Sequence, residues 1–447
     1  MSVRKLILLT AVVAVLFGFI FLFERKIPST ADRQLKGDLY WDLPEERIER
    51  LALTRGTEEL EFQKTETTPW RMVKPAPYPA DAFAVNAVAA ELADLKRSGG
   101  DSGDARPADY GLEKPEAKAT IAWTDADAPG DKKTRTIEFG IGIPGTDIVA
   151  ARLEGSSKVL FAPSSALAAV RRNADDFRSR EVFGGSPADI KRLEILRGRG
   201  RLVLERRNGG WWLVEPTADL ADAAEAERLA AQLTSARVGD FVHGNDDLAA
   251  LGLDPPLYRV TAVGARGKSA SVDFGATRSD GNSIYARRDG QVFTVDREVA
   301  DDLSREAEPF RSAALASFSR SDVTAVEGAF GTKRFALAQK EGGWAAQDRP
   351  VLAPAADDVL TAILDLEARS FVEEARIGEL AAPEATVTVR RKTGPPSILT
   401  FHSRGPGTVA RVSSRPGGFV VDRDAVGRLE ARFEKALSPG PTPKKKR

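Results

Sequence analysis

Five apolar positions recur three times along this chain at nearly fixed spacing, and that recurrence limits the fold more than any single residue does. Ile48, Leu51, Leu60, Phe62 and Trp70 are separated by 3, 9, 2 and 8 residues. Ile190, Leu193, Leu202, Leu204 and Trp212 repeat those steps, and Val323, Val326, Phe335, Leu337 and Trp344 repeat them with the last step one shorter. Such self-similarity marks tandem copies of one structural unit. A copy of roughly 120–135 residues is long enough for its own apolar core, unlike the short repeats of a solenoid.

The correspondence runs on downstream. A proline follows each tryptophan (Pro75, Pro216, Pro350), and then comes a helical stripe: Val85, Val88, Leu92 and Leu95 in copy one, Ala226, Leu229 and Leu233 in copy two, Val359, Ile363 and Leu366 in copy three. Next is a glycine–leucine turn closed by proline, Tyr110 to Pro115 and Leu251 to Pro256, worn to Ile377–Pro383 in copy three. Ile137-Glu138-Phe139-Gly140 then matches Val272-Asp273-Phe274-Gly275, and Ala151-Arg152 matches Ala286-Arg287 and Ala410-Arg411. The period-two alternation of Leu51/Leu53, Leu60/Phe62 and Trp70/Met72 predicts half-buried strands. The predicted class is α+β: an N-terminal transmembrane helix followed by three repeats of mainly antiparallel strands, each with two helices. The boundaries read as 1–28 for tail and anchor, 45–183, 187–315 and 319–437 for the repeats, and 438–447 for a basic tail. Short linkers imply a semi-rigid row.

These motifs together resemble the bacterial domain-of-unknown-function 4340 family: tryptophan and proline, helix, Tyr-Gly-Leu-x-x-Pro, then the Phe-Gly and Ala-Arg strands. The resemblance covers nearly everything after the anchor, with copy three the divergent one. It implies an N-terminal transmembrane segment, an extracytoplasmic body, and company with ABC-type export systems and auxiliary components similar to gliding-motility proteins. It supplies no catalytic residues.

The anchor is read from Leu6 to Phe23, eighteen residues without a charge, which span roughly 27 Å as a helix. A cleaved signal peptide is the rival, but its apolar stretch is usually about 7–15 residues and leads into small residues. Here Phe21, Leu22 and Phe23 run straight into Glu24, Arg25 and Lys26. Basic residues flank both ends, so charge does not set the orientation. The commoner arrangement, tail inside and body on the periplasmic side of the inner membrane, is the expectation, with membrane lipid as one partner.

Composition narrows the chemistry. Lys+Arg and Asp+Glu are each 65, so no global field steers nucleic acid. Cysteine is absent, and the two histidines, His243 and His402, leave little material for a zinc site or a catalytic triad. His243 with Asp246 and Asp247 is read as a solvated loop rather than a cation site, and His402 as a surface strand residue. Gly140 to Gly145 lacks the phosphate-loop ending and reads as a connection between strands, and Gly198-Arg199-Gly200 as a hairpin tip. Arg152, Arg287 and Arg411 are the speculative ligand-facing residues, since guanidinium binds carboxylates and phosphates bidentately; the plainer reading is a salt-bridged strand arginine. Trp70, Trp212 and Trp344 are markers of the repeat core, with stacking on an envelope sugar the alternative. No catalytic, cofactor-binding or metal residues are expected.

The functional expectation is a non-enzymatic envelope scaffold with protein partners in a membrane complex, plausibly an ABC-type transport assembly. The alternative is a protein that binds peptidoglycan or polysaccharide, with a carboxylate-based hydrolase as a third class that no motif supports.

Overall fold

The computed structural model describes Tyr40 and residues 47–438, apart from 66–67, 97, 99–104, 125–131, 245–246, 342, 348, 379 and 405–406. The anchor stretch 6–23 and the tail beyond Ser438 lie outside the described residues. Among those described, no helix is long and apolar enough to cross a membrane.

Three antiparallel sheets carry the fold, one per copy. Module 1 contains β1 (Ile48–Arg55), β2 (Glu58–Thr65), β3 (Thr68–Lys74), β4 (Tyr78–Pro79), β5 (Ala117–Thr124), β6 (Lys132–Gly142), β7 (Ile148–Leu153) and β8 (Leu160–Pro163). Helix α1 (Ala82–Ala93) joins β4 to β5, and α2 (Ser164–Val170) follows β8. The sheet order is β4-β3-β2-β1-β5-β6-β7-β8, so α1 carries the chain from the outer edge to the far side of β1.

Module 2 repeats this with β9 (Ile190–Arg197), β10 (Gly200–Arg207), β11 (Gly210–Glu215), β12 (Asp219–Leu220), α3 (Ala223–Ser235), β13 (Phe241–Val242), β14 (Tyr258–Gly264), β15 (Ser269–Thr277), β16 (Ser283–Arg288), β17 (Gln291–Asp296) and α4 (Glu298–Leu303). Module 3 has β18 (Val323–Phe330), β19 (Lys333–Lys340), β20 (Gly343–Ala346), β21 (Arg349–Val351), α5 (Ala353–Leu364), β22 (Ser370–Val372), the one-turn α6 (Glu374–Ile377), β23 (Ala385–Arg391), β24 (Ser397–Arg404), β25 (Gly407–Val412), β26 (Gly418–Val421) and α7 (Ala425–Leu437). In modules 2 and 3 the short β13 and β22 add one strand beyond β17 and β26.

Alternation decides which sheet face is dry. Leu51, Leu53, Leu60, Phe62, Ile121, Ile137 and Phe139 all point to one core with Val85, Val88 and Leu92 of α1. Helix α1 starts where the Asp81 carboxylate accepts the Ala84 N–H at 3.0 Å, and α3 starts where Asp222 accepts that of Glu225 at 3.0 Å. The glycine–leucine turns cover the opposite face. A Cβ on Gly140 would meet the Tyr110 carbonyl oxygen at 2.0 Å, and one on Gly275 would meet that of Leu251 at 2.2 Å. The Phe-Gly motif therefore exists because the turn's backbone lies on the strand. Module 3 has His402 there and no such approach.

Register corrects the tryptophan assignment. Leu204 lies opposite Leu213 and Arg206 opposite Trp211, just as Phe62 lies opposite Met72. Trp211 is therefore the equivalent of Trp70, and both are 3% exposed, while Trp212 is only half-buried on the other face of β11. The step in copy two is thus 7, as in copy three, because the β10–β11 hairpin turns more tightly than β2–β3. Trp344 opposes Gln339 and packs half-buried on the third core. His402 is also corrected: it is 8% exposed rather than at the surface. Its Nδ1 donates to the Ala381 carbonyl at 2.8 Å and its Nε2 lies 3.0 Å from the Thr400 hydroxyl.

The repeat boundaries also shift. Tyr40, Val182 and Leu315 each donate a backbone N–H to the residue just past the module's first helix, Leu95, Ala236 and Leu366 respectively. Val182 is buried in the second core and Leu315 in the third. Each module therefore begins about eight residues before its first strand, at Tyr40 rather than 45, at Val182 rather than 187 and at Leu315 rather than 319. The chain divides into two compact units, residues 1–180 with 289–291, and 181–288 with 292–447, so modules 2 and 3 share one unit.

Candidate functional site

The recurrent arginines sit on equivalent strands, β7, β16 and β25, and each faces a carboxylate. Arg152 lies opposite Glu138 in the register, and its Nε donates to Glu138 Oε2 at 2.6 Å; Lys118, opposite Glu138 on the other side, comes to 2.6 Å. Module 2 repeats the ladder as Arg259–Asp273–Arg287, with contacts of 2.6 and 3.0 Å. Burial pushes the Glu138 carboxyl up, but the Lys118 and Arg152 hydrogen bonds outweigh it and hold the group below the usual carboxylate range. Asp273 is lowered in the same way. Module 3 has Thr400 opposite Arg411, and the guanidinium turns instead to Glu374 Oε1 at 2.7 Å. Three strands are thus tied by alternating charge in modules 1 and 2, and the arginines are occupied by the sheet itself.

A second constellation, which sequence reasoning missed, joins modules 2 and 3. Asp219 of β12 has no exposed side-chain surface. Arg311 donates to it from the segment leaving module 2, and Arg415 from the β25–β26 loop donates twice, at 2.6 and 3.0 Å. Arg415 also donates to the carbonyls of Ser312 (2.8 Å) and Ala314, and Arg311 to that of Pro416. The Arg311 guanidinium stacks 4.4 Å from the Phe371 ring centre, and that of Arg415 lies 4.5 Å from Phe419. A buried carboxylate bridged by two stacked guanidiniums locks the second sheet to the third. The tripeptide Phe310-Arg311-Ser312 recurs as Phe177-Arg178-Ser179, but Arg178 pairs with Asp175, so the repeat marks the segment that leaves each module rather than the clamp.

His243 and Asp247 are exposed and Asp246 lies outside the described residues. Among the described residues, no group of three or more His, Asp or Glu side chains is arranged to hold a metal. The Gly198–Gly200 segment is the β9–β10 hairpin tip. Trp70 donates through Nε1 to Asn86 Oδ1 at 2.5 Å inside the first core, where no sugar could stack on it.

The family model described as Domain of unknown function (DUF4340) matches residues 70–256 and again 211–388. The chain belongs to this family. Both matches open on a core tryptophan, Trp70 and Trp211, the pair that the strand register makes equivalent. No curated protein matches the chain. Among solved structures, two of the DNA polymerase sliding clamp from Pseudomonas aeruginosa align at 9–10% identity over 86–87% of this chain and 95% of theirs, with TM-scores of 0.15 and 0.14. The DNA polymerase III subunit beta of that organism aligns at 9% identity over 87% of this chain and 96% of its own, with a TM-score of 0.14. Similarity that low carries no argument about fold or function.

Proposed function

We propose that this protein is a non-enzymatic scaffold of the cell envelope, anchored in the inner membrane by residues 6–23 with its modules on the periplasmic side, and that it serves an ABC-type transport assembly. The observation that carries the reading is the Asp219 clamp. Burying a carboxylate and two guanidiniums between modules fixes relative orientation rather than adding net stability, and fixed orientation is what a platform for several partners requires. The paired state of Arg152 and Arg287 in sheet ladders, and of Arg411 with Glu374, supports the same reading, because paired guanidiniums are not held ready for a small ligand. The transport partner comes from the family resemblance alone.

Crosslinking in native membranes followed by affinity isolation of the full chain tests this. Permease and ATPase subunits are the expected products. Their absence from well-expressed, membrane-inserted protein would remove the transport assembly from the proposal.

A further inference from the structure

The segments between modules follow a rule that the last module breaks. In module 1 the outer edge ends at Pro79–Asp81, where Ser179 donates its N–H to the Pro79 carbonyl at 2.9 Å and Asp81 donates to that of Phe177 at 2.7 Å. In module 2, Ser312 donates to Leu220 at 2.9 Å and Asp222 to Phe310 at 2.9 Å. Each departing segment thus adds a short strand to the edge of the module it leaves. Phe177 and Phe310 are fully buried there, in cores that include Leu60, Met72 and Ala80, and Leu202, Leu213 and Ala221.

In module 3, among the described residues, no departing segment pairs with the same edge. Val351 pairs with Trp344 in β21–β20 as Ala221 pairs with Trp211, which makes Pro350–Leu352 the equivalent of Leu220–Asp222. Among the described residues, neither the Pro350 carbonyl nor the Leu352 N–H has a partner. Leu352 is 71% exposed, at the position where Asp81 and Asp222 cap their helices, and α5 begins without a capping side chain. Beside it is a cavity of about 190 Å³ lined by Phe335, Ala346, Val351 and Leu437 together with Arg349 and with Arg334, whose guanidinium donates to the Gly331 and Lys333 carbonyls. Phe335 and Ala346 stand where module 2 has Leu202 and Leu213, residues of the core that holds Phe310; in module 3 the Phe433 ring of α7 stacks on Phe335 at 5.7 Å, and the cavity is what α7 leaves open beside the edge.

We propose that this edge docks an extended acidic segment of a partner protein, which adds a strand to β21, places an apolar side chain in the cavity and sets a carboxylate against Arg349. Strand addition to an exposed edge is a standard mode of peptide capture, with main-chain bonds giving affinity and alternate side chains giving choice. The sign comes from module 2, since module 1 carries the neutral Tyr78 at the equivalent edge position. Arg349 opposes Ala346 as Asp219 opposes Leu213, so it occupies the Asp219 position. Asp219 receives a basic residue, Arg311, from the docked segment; reversal of the edge charge calls for an acidic one. The uncapped amino end of α5 favours negative charge as well. Two segments of this chain compete poorly. The stretch after Ser438 ends in Lys444, Lys445, Lys446 and Arg447, and the N-terminal segment of a second copy brings Lys36 to the Arg311 position when Tyr40 is aligned with Leu315.

The docking edge gives the scaffold of the preceding section a defined partner chemistry and rests on that reading for its cellular meaning. The test is independent of transport subunits, so either can fail alone. A fluorescent peptide Glu-Pro-Phe-Asp-Ser-Ala-Ala-Leu-Ala, which copies residues 308–316 with aspartate at the arginine position, is titrated into the full-length protein in detergent and followed by anisotropy. Saturable binding is expected, with the parent arginine peptide at least about tenfold weaker. Arg349→Glu should invert that order. Leu352→Pro should abolish binding of both, because the Leu352 φ of −61° suits proline and the substitution removes the edge N–H. Unchanged circular dichroism would show that both variants fold. Absence of saturable binding, indifference to both substitutions, or binding that emerges only after deletion of residues 439–447 would overturn the proposal.

Discussion

Glu61 shows at the scale of one residue how this protein uses charge. It is 6% exposed, and Arg50 Nε donates to it at 2.7 Å and Gln63 Nε2 at 3.0 Å, with Lys74 at 3.5 Å. The Arg50 hydrogen bond is the largest influence, and it outweighs burial to bring the carboxyl down to about 2. A folded value below the unfolded one means that the stabilisation is fully present above about pH 4.5 and drains away as pH falls toward 2. The expected contribution is on the order of 2 kcal/mol. Urea midpoints at pH 7 and pH 3 should therefore differ less in Glu61→Gln than in the parent; an unchanged difference would show that Glu61 is not the titrating group. The alternation of β2 predicted a polar side chain here, yet not that Arg50 and Lys74 flank it, because pairing partners across strands are set by turns and bulges. The same limit explains the slip from Trp211 to Trp212. Adjacent tryptophans both fit an apolar marker, and one residue of hairpin length decides which faces the core.

Secondary elements were the most legible level, since each first helix and most strands could be read from period, although Leu95 and Leu366 of the expected stripes fall just past their helices. Val85, Val88 and Leu92 are all buried on α1, and Leu229 and Leu233 on α3. What stayed hidden was the extended chain between elements. Residues 177–182 and 310–315 carry no helix or strand period, and their placement rests on single buried residues and on backbone hydrogen bonds, which side-chain patterns do not record. Asp219 was hidden for a related reason: a two-residue strand carries no periodicity, and its arginine partners lie 92 and 196 residues away. Removal of its charge should be costly. Asp219→Asn leaves two buried guanidiniums without a counter-charge, and a loss of about 3–5 kcal/mol is expected in chemical unfolding of the unit containing modules 2 and 3. A loss under about 1 kcal/mol would mean that the clamp is hydrated and contributes no rigidity.

For the whole molecule, the clamp sets where the chain can be cut. A fragment covering residues 181–438 keeps Val182 in its core and Asp219 against Arg311 and Arg415. It should unfold in one cooperative calorimetric transition. A fragment starting at 319 loses Leu315 and Ala316 from the third core, removes the Ser312 and Ala314 carbonyls and the Asp219 carboxylate from Arg415, and uncovers Phe371 and Phe419. It should be markedly less stable or aggregate; equal stability of the isolated third module would show that the junction adds nothing to it.

The linker rule also bears on how such a chain can lengthen. Every copy brings an edge to be covered and a leading segment that covers its predecessor, so adding copies in the middle of the array conserves the balance. Module 3, whose edge takes no segment among the described residues, departs from its siblings at the positions that this pairing would constrain: His402 stands where the glycine lies under the turn, Leu352 where an aspartate caps the helix, and α7 is longer than α2 and α4.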